Sequence, residues 1–328
     1  MAAPLGGVGL IRTHARARAV RQGEAVPPRK WTGAPGGGVA APLAIILPDP
    51  ATRFATTARR LDSLATGHPM EEWLRFMAQL AWAQHAAVTA PPPSAALSPA
   101  SVEASVMART APLATDRHAV DASWQRDLMR VLQHFDAATL PEEARAVIAD
   151  VKRYDPAALE ALAEAFLRGA LDAHQVGPAL YIAAALQVHF TAMAATLTPD
   201  ALRLLPRRGL CPCCGSTPVT GLVTASGRTP GSRYLYCSLC STAWNHVRAV
   251  CITCGESRTL SLKSIEGDKG VVHAETCRGC DTYVKLLYEA KDTRVDPFAD
   301  DLASLALDVL VGEAGWSRHA PNPLLLMG

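Results

Sequence analysis

The sequence predicts an α+β chain of more than one domain: an N-terminal α-helical domain, a tandem rubredoxin-like or zinc-ribbon-like module, and a C-terminal helix. Three observations predict it. Alanine and leucine dominate before Leu210, a bias toward helix, whereas the following segment is rich in Gly, Thr, Ser and Val, a bias toward short strands and turns. All nine cysteines lie beyond residue 210. Eight of them form four Cys-x-x-Cys pairs, Cys211/Cys214, Cys237/Cys240, Cys251/Cys254 and Cys277/Cys280, and the last four positions repeat the first four at an interval of forty residues. With 328 residues and 49% hydrophobic content, the chain is long enough for two compact domains, each with its own core.

Taken in order, residues 1–45 read as a disordered extension. They are arginine-rich with Glu24 as the lone acid, and they contain Gly-Gly-Gly and Pro-Pro runs. An organelle transit peptide or a nucleic-acid arm would share that composition; a loose extension or an over-long gene start accounts for it more simply. Residues 46–205 form the helical domain. A first helix spans 54–64 and a second 69–88, where Trp73, Phe76, Met77 and Leu80 fall at i, i+3, i+4 and i+7, one buried stripe. A break at Pro91-Pro-Pro precedes helices near 123–135 and 141–153, and a further one opened by Asp155 with Pro156 at its first position. The stretch 178–197 is the most apolar, but its apolar residues are mainly Ala and it carries Gln187 and His189. It reads as the central helix of a bundle rather than a membrane span. Thr198-Pro199 caps a short final helix.

Residues 206–295 are the metal-binding module. Each half reads Cys-x2-Cys-x22-Cys-x2-Cys, with Gly215 or Gly255 after the first pair and Thr242 or Thr282 two residues past the second. A Cys-x-x-Cys turn sets two sulfurs on one side of a tight loop, and two such turns close a tetrahedron of thiolates around one ion. Two sites therefore follow, Cys211, Cys214, Cys237 and Cys240 in one, Cys251, Cys254, Cys277 and Cys280 in the other. The glycines suit the positive φ of a metal knuckle. A disulfide framework or a redox dithiol would need a secreted or βαβ context; the first 210 residues hold no cysteine and no apolar targeting core, so a reducing cytoplasm is expected. Four thiolates serve zinc and iron alike, so the cofactors are two metal ions per chain, iron or zinc. Cys213 falls outside the repeat; it could swap with a neighbour as ligand, but it reads as a spectator thiol whose exposure makes it the most oxidisable one when it is not ligated.

After Cys280, residues 283–288 alternate as a strand, and 296–328 hold the C-terminal helix and tail. Asp296-Pro297 opens that helix, which runs to about residue 313, with Gly315 ending it. Asp296, Asp300 and Asp301 suit its positive N-terminus, and Leu302, Leu305, Ala306 and Val309 form a docking stripe.

Charge argues against nucleic acid as a partner. Between Arg207 and Arg294 there are twelve Lys or Arg and seven Asp or Glu, a formal +5. Two four-thiolate sites with divalent ions subtract about 2 each, leaving the module near +1, with few aromatics to stack on bases. No glycine-rich phosphate loop, nucleophile elbow or carboxylate and histidine cluster points to an enzyme. His246 and His273 read as exposed or hydrogen-bonded histidines beside two complete ligand sets, and Trp244 as a cover over the knuckle.

Residues 211–216 (Cys-Pro-Cys-Cys-Gly-Ser) and 233–248, which carry Tyr234, Tyr236, Trp244 and Arg248, closely resemble the formate dehydrogenase accessory protein family, FdhE. Residues 274–285, Lys291-Asp292, 300–305 and Asn322-Pro323 continue the resemblance, and Leu74-Arg75-Phe76 adds a weaker echo. It covers about residues 50–326 and leaves the extension outside; Cys213 departs from the small apolar residue usual in the family. The resemblance implies a cytoplasmic assembly factor, not itself the dehydrogenase, that binds the catalytic subunit of respiratory formate dehydrogenase before its folded export, without stable membrane insertion and with homo-oligomerisation open. It also implies rubredoxin-like knuckles associated with iron. The competing readings are a nucleic-acid-binding double zinc ribbon and a rubredoxin-like electron carrier.

Overall fold

A computed structural model describes residues 11–14, 41–88, 97–115, 123–135, 140–227 and 229–325. Most of the extension and the Pro91-Pro-Pro break lie outside the described residues. Within the extension, Ile11–His14 departs from the expected disorder and forms a short strand, β1. After β2, Ile45–Ile46, the helices follow: α1 Pro50–Ala65, α2 Glu71–Val88, α3 Pro99–Met107, α4 Ser123–Gln133, α5 Glu142–Val151, α6 Pro156–Arg168 and α7 Val176–Ala195. Asp155 caps α6 as its sequence suggests, its side chain accepting from Ala158 N at 2.8 Å. Helix α3 was not anticipated, although Ser98 before Pro99 carries the same signal and accepts from Ser101 N at 3.2 Å.

Helix α7 is the axis of the bundle, buried on nearly every side from Tyr181 to Ala194. By length and apolarity it could cross a membrane, but 72% of its most apolar window is buried in the protein. On α2 the stripe is rotated slightly from the expected one. Leu74, Met77 and Leu80 are fully buried, while Trp73 and Phe76 lie at the core's edge, Phe76 stacked on Phe135 with ring centroids 6.1 Å apart.

The cysteine region folds into two three-stranded ribbons, β3 Pro218–Val223, β4 Arg233–Cys237 and β5 Ala243–Asn245, then β6 Leu260–Ile265, β7 Val272–Cys277 and β8 Thr282–Tyr288. The forty-residue repeat extends to the hydrogen-bond register. Tyr234 faces Asn245 and Tyr236 faces Ala243 in the first ribbon; Ala274 faces Lys285 and Thr276 faces Tyr283 in the second. The ribbons then merge into one sheet, because β8 pairs parallel with β3 through Leu286, Leu287 and Tyr288. Gly221 permits that seam, since a Cβ there would lie 2.6 Å from Leu286 Cδ2. At the far ends β1 pairs with β6 and β2 with β5.

The buried side chains form two clusters, but the boundary between them does not follow the helix-to-ribbon boundary: the smaller one holds Leu222, Val272, Tyr283, Leu287, Leu307 and Val311. The larger runs from Phe54, Leu80, Trp124 and Leu186 of the helices to Cys211, Leu235, Trp244 and Leu286 of the ribbons. The C-terminal helix is also not continuous. It divides into α8 Ala299–Ala303 and α9 Leu305–Glu313 at Ser304, whose hydroxyl donates to Asp300 O at 2.7 Å, while the buried Lys285 ammonium donates to the Asp301 and Ser304 carbonyls at 2.8 and 3.2 Å. The break resets the phase of the last helix, so α9 docks through Leu307 and Val311 while Val309, assigned to the docking stripe, stays half exposed. Strand β9, Ser317–Arg318, adds to the outer end of β8.

Candidate metal centres

Among the described residues two groups could hold a metal, and they are the two predicted sets: Cys211, Cys214, Cys237 and Cys240, and Cys251, Cys254, Cys277 and Cys280. In each set all four Sγ atoms lie within 4.8 Å of one another. Cys211 and Cys240 sulfurs are 3.5 Å apart and Cys214 and Cys237 3.4 Å; in the second set Cys251 to Cys280 and Cys254 to Cys277 are each 3.7 Å. A tetrahedron with metal–sulfur bonds of about 2.3 Å has edges of about 3.8 Å, so both frames suit a four-thiolate ion.

The knuckle backbones explain the convergence. Gly215 and Gly255 have φ of +77° and +78°, and their amides donate to Cys211 O and Cys251 O at 2.9 and 3.0 Å. Ser241 and Asp281, next after each second pair, also adopt positive φ. Amides at Cys213, Leu239, Cys240 and Thr253 donate to Cys211, Cys237 and Cys251 sulfurs at 3.4 Å, which favours the thiolate form a metal requires. The repeated threonines contribute too: the Thr242 and Thr282 hydroxyls lie 3.2 and 3.1 Å from the Cys240 and Cys280 sulfurs.

The sites differ in cover. All four sulfur residues of the first are buried, and burial pushes the Cys211 thiol well above its usual range until a cation compensates. Its second knuckle is gripped by the bundle. Gln187 of α7 donates to Ser238 O at 2.8 Å, Thr191 lies 3.1 Å from the Ser241 hydroxyl, and Arg53 of α1 donates to Ser241 Oγ at 2.9 Å. In the second site Cys254 is exposed and Cys280 half-buried. Sequence reasoning missed the gripping residues, which sit on helices far from any cysteine.

Cys213 belongs to neither set and, contrary to the expectation that it is oxidisable through exposure, is fully buried. The backbone after α3 closes over it, Leu113 N donating to Cys213 O at 2.7 Å. Its repeat counterpart is Thr253, whose hydroxyl joins Thr282 at 2.9 Å and His319 Nδ1 at 2.7 Å. His246 and His273 lie outside both sets. Trp244 is buried, its Nε1 donating to Arg208 O at 2.9 Å in the segment entering the first knuckle.

Burial, reinforced by the Arg233 charge, lowers His246 from 6.5 to about 4. The folded chain holds this histidine neutral while the unfolded chain protonates it, so its contribution is destabilising as pH falls from about 6.5 toward 4 and vanishes above that window. Urea denaturation of His246→Asn is expected to show an acid-side stability slope shallower by up to one proton; an unchanged slope would refute the assignment.

A different buried trio needs a chemical reading. Ser123 Oγ and Asp127 Oδ2 lie 3.4 and 3.6 Å from the same nitrogen, His189 Nδ1. Serine and carboxylate on one ring nitrogen cannot form a proton relay, which needs them on opposite nitrogens. The trio pins α4 to α7.

Comparison with known proteins places matches along nearly the whole described chain. Residues 42–206 match the family described as FdhE, N-terminal, residues 210–248 the FdhE central domain and residues 249–325 the FdhE C-terminal domain. Protein FdhE homolog of Edwardsiella ictaluri is 39% identical over 293 residues, covering 89% of this chain and 94% of its own. Protein FdhE of Escherichia coli K12 is 37% identical over 278 residues, 83% of this chain and 87% of its own. The crystal structure of the FdhE protein from Pseudomonas aeruginosa superposes with a TM-score of 0.79 at 36% identity, covering 87% of this chain and 99% of that one.

Proposed function

The chain belongs to the FdhE family, and from that premise we propose that it is an assembly factor for respiratory formate dehydrogenase, binding the catalytic subunit in the cytoplasm before export. The observation that carries the reading is the match to all three family regions over 42–325 together with both cysteine frames. In this reading the eight paired cysteines hold two ions, iron or zinc. Each ion locks two knuckles together; the first also fixes the surface on which α1 and α7 rest. Cells lacking the chain are expected to synthesise the catalytic subunit yet lose most formate-dependent dye reduction, and the tagged chain to retain that subunit in a pull-down. Full activity in its absence sinks the proposal. Replacing Cys237 and Cys240 by Ser is expected to reduce capture through loss of the first knuckle pair.

One observation favours a second reading, electron transfer at the second site: exposed Cys254 gives that centre a route to a donor that the first lacks. Reversible visible bleaching by a physiological donor, lost in Cys254→Ser, supports it; a colourless, zinc-only protein excludes it.

A further inference from the structure

We propose that the cavity at the seam of the two ribbons binds an oxyanion, a carboxylate or phosphate group carried on a small, partly apolar molecule. The cavity measures about 300 Å³. Its walls hold Arg233 of β4, Arg248 of the connection between ribbons, Arg258 following the second site's first knuckle, and Glu275 of β7. Three arginines and one glutamate line it, so the charge of its lining is positive. Arg248 and Arg258 are exposed at the rim, whereas Arg233 is 1% exposed.

Arg233 carries the argument. Its Nη1 lies 2.9 Å from Glu275 Oε1 and donates to Val250 O at 3.3 Å. Its Nε and Nη2 are buried without a hydrogen-bond partner among the described residues, and Glu275 Oε1 accepts no well-directed hydrogen bond either. A buried guanidinium with three unused N–H groups is costly, and such groups are completed by a water, an ion or a ligand. The planar fork matches two oxygens of a carboxylate or phosphate.

Leu260, Leu262, Leu286 and Val223 supply apolar walls and Tyr288 an aromatic one, which suits an anion with an apolar or ring-bearing body. A polymer backbone would reach the rim arginines but not Arg233 at the floor, which separates this site from a nucleic-acid surface. Because Arg233 comes from one ribbon and Arg258 and Glu275 from the other, the site exists only when the β3–β8 seam is closed.

The test titrates the full chain, with its metals as isolated, with inorganic phosphate, AMP and benzoate at matched ionic strength, read by calorimetry. One saturable site per chain is expected, with competition between probes; phosphate and AMP without benzoate assigns a phosphate group, and the converse a carboxylate. Arg258→Ser, at an exposed position, is expected to weaken binding about threefold. Arg233→Met with Glu275→Gln, which leaves no buried charge behind, is expected to weaken it at least about tenfold. No saturable binding of any probe, or binding unchanged in both variants, overturns the proposal.

Discussion

A Cys214→Ser/Cys237→Ser chain is expected to lose one metal ion and its soluble fold together, whereas Cys254→Ser/Cys280→Ser loses one ion and keeps a folded helical bundle. The chemistry removed is the same; the surroundings are not. At the first site the knuckle closed by the ion is the floor on which Gln187, Thr191 and Arg53 rest, and its cysteines belong to the same buried cluster as the helices. The apparent free energy of a structural four-ligand site is about 10–16 kcal/mol, comparable to or larger than the whole stability of a domain. The second site's cysteines are not members of that cluster, and Cys254 is exposed. Metal stoichiometry by elemental analysis, with helical circular dichroism followed on heating, separates the variants. Equal loss of helix in both would show that the first site does not support the bundle.

Lys285→Met is expected to lower the melting temperature of the metal-loaded chain by about 10 °C, corresponding to roughly 3–5 kcal/mol. Lys285 is fully buried. Its ammonium lies 2.5 Å from Asp308 Oδ2 and 3.3 Å from Asp301 Oδ1. Arg318 pairs with both carboxylates, Tyr283 donates to Asp308 at 2.7 Å and Asn322 to Asp301 at 2.6 Å. Two cations thus balance two anions out of water, and deleting one cation strands a carboxylate. Adding Asp308→Asn to Lys285→Met should recover most of the loss, since it restores the balance while keeping an acceptor for Tyr283. If the double variant melts no higher than the single, the lysine acts through packing rather than charge.

The same residues show what could be read from the sequence and what could not. Spacing alone assigned eight sulfurs to two groups, since two Cys-x-x-Cys turns leave few ways to meet. It could not assign their unequal burial, which depends on α1 and α7, more than forty residues before the second knuckle in the chain. Helices with caps, such as α6 behind Asp155, were legible because their signals are local. The parallel β3–β8 pairing was not, because nothing in either strand names its partner. Asp300 and Asp301 were read as helix N-terminal charges, a local explanation. Asp300 instead accepts from Arg60 of α1 at 2.6 and 2.8 Å, and Asp301 neutralises Lys285 and Arg318, so these acids fasten distant segments together.

The parallel seam also gives the two ribbons a translational relationship rather than a two-fold one. Copies related by translation can be extended indefinitely, and an array of two presents an open edge at each end to which a further copy, or another molecule, could add. Here each of those edges carries a strand from the part of the chain before the helices, Ile11–His14 on β6 and Ile45–Ile46 on β5. The segment preceding the helices thereby terminates the array at both ends and limits the sheet to a single pair of centres.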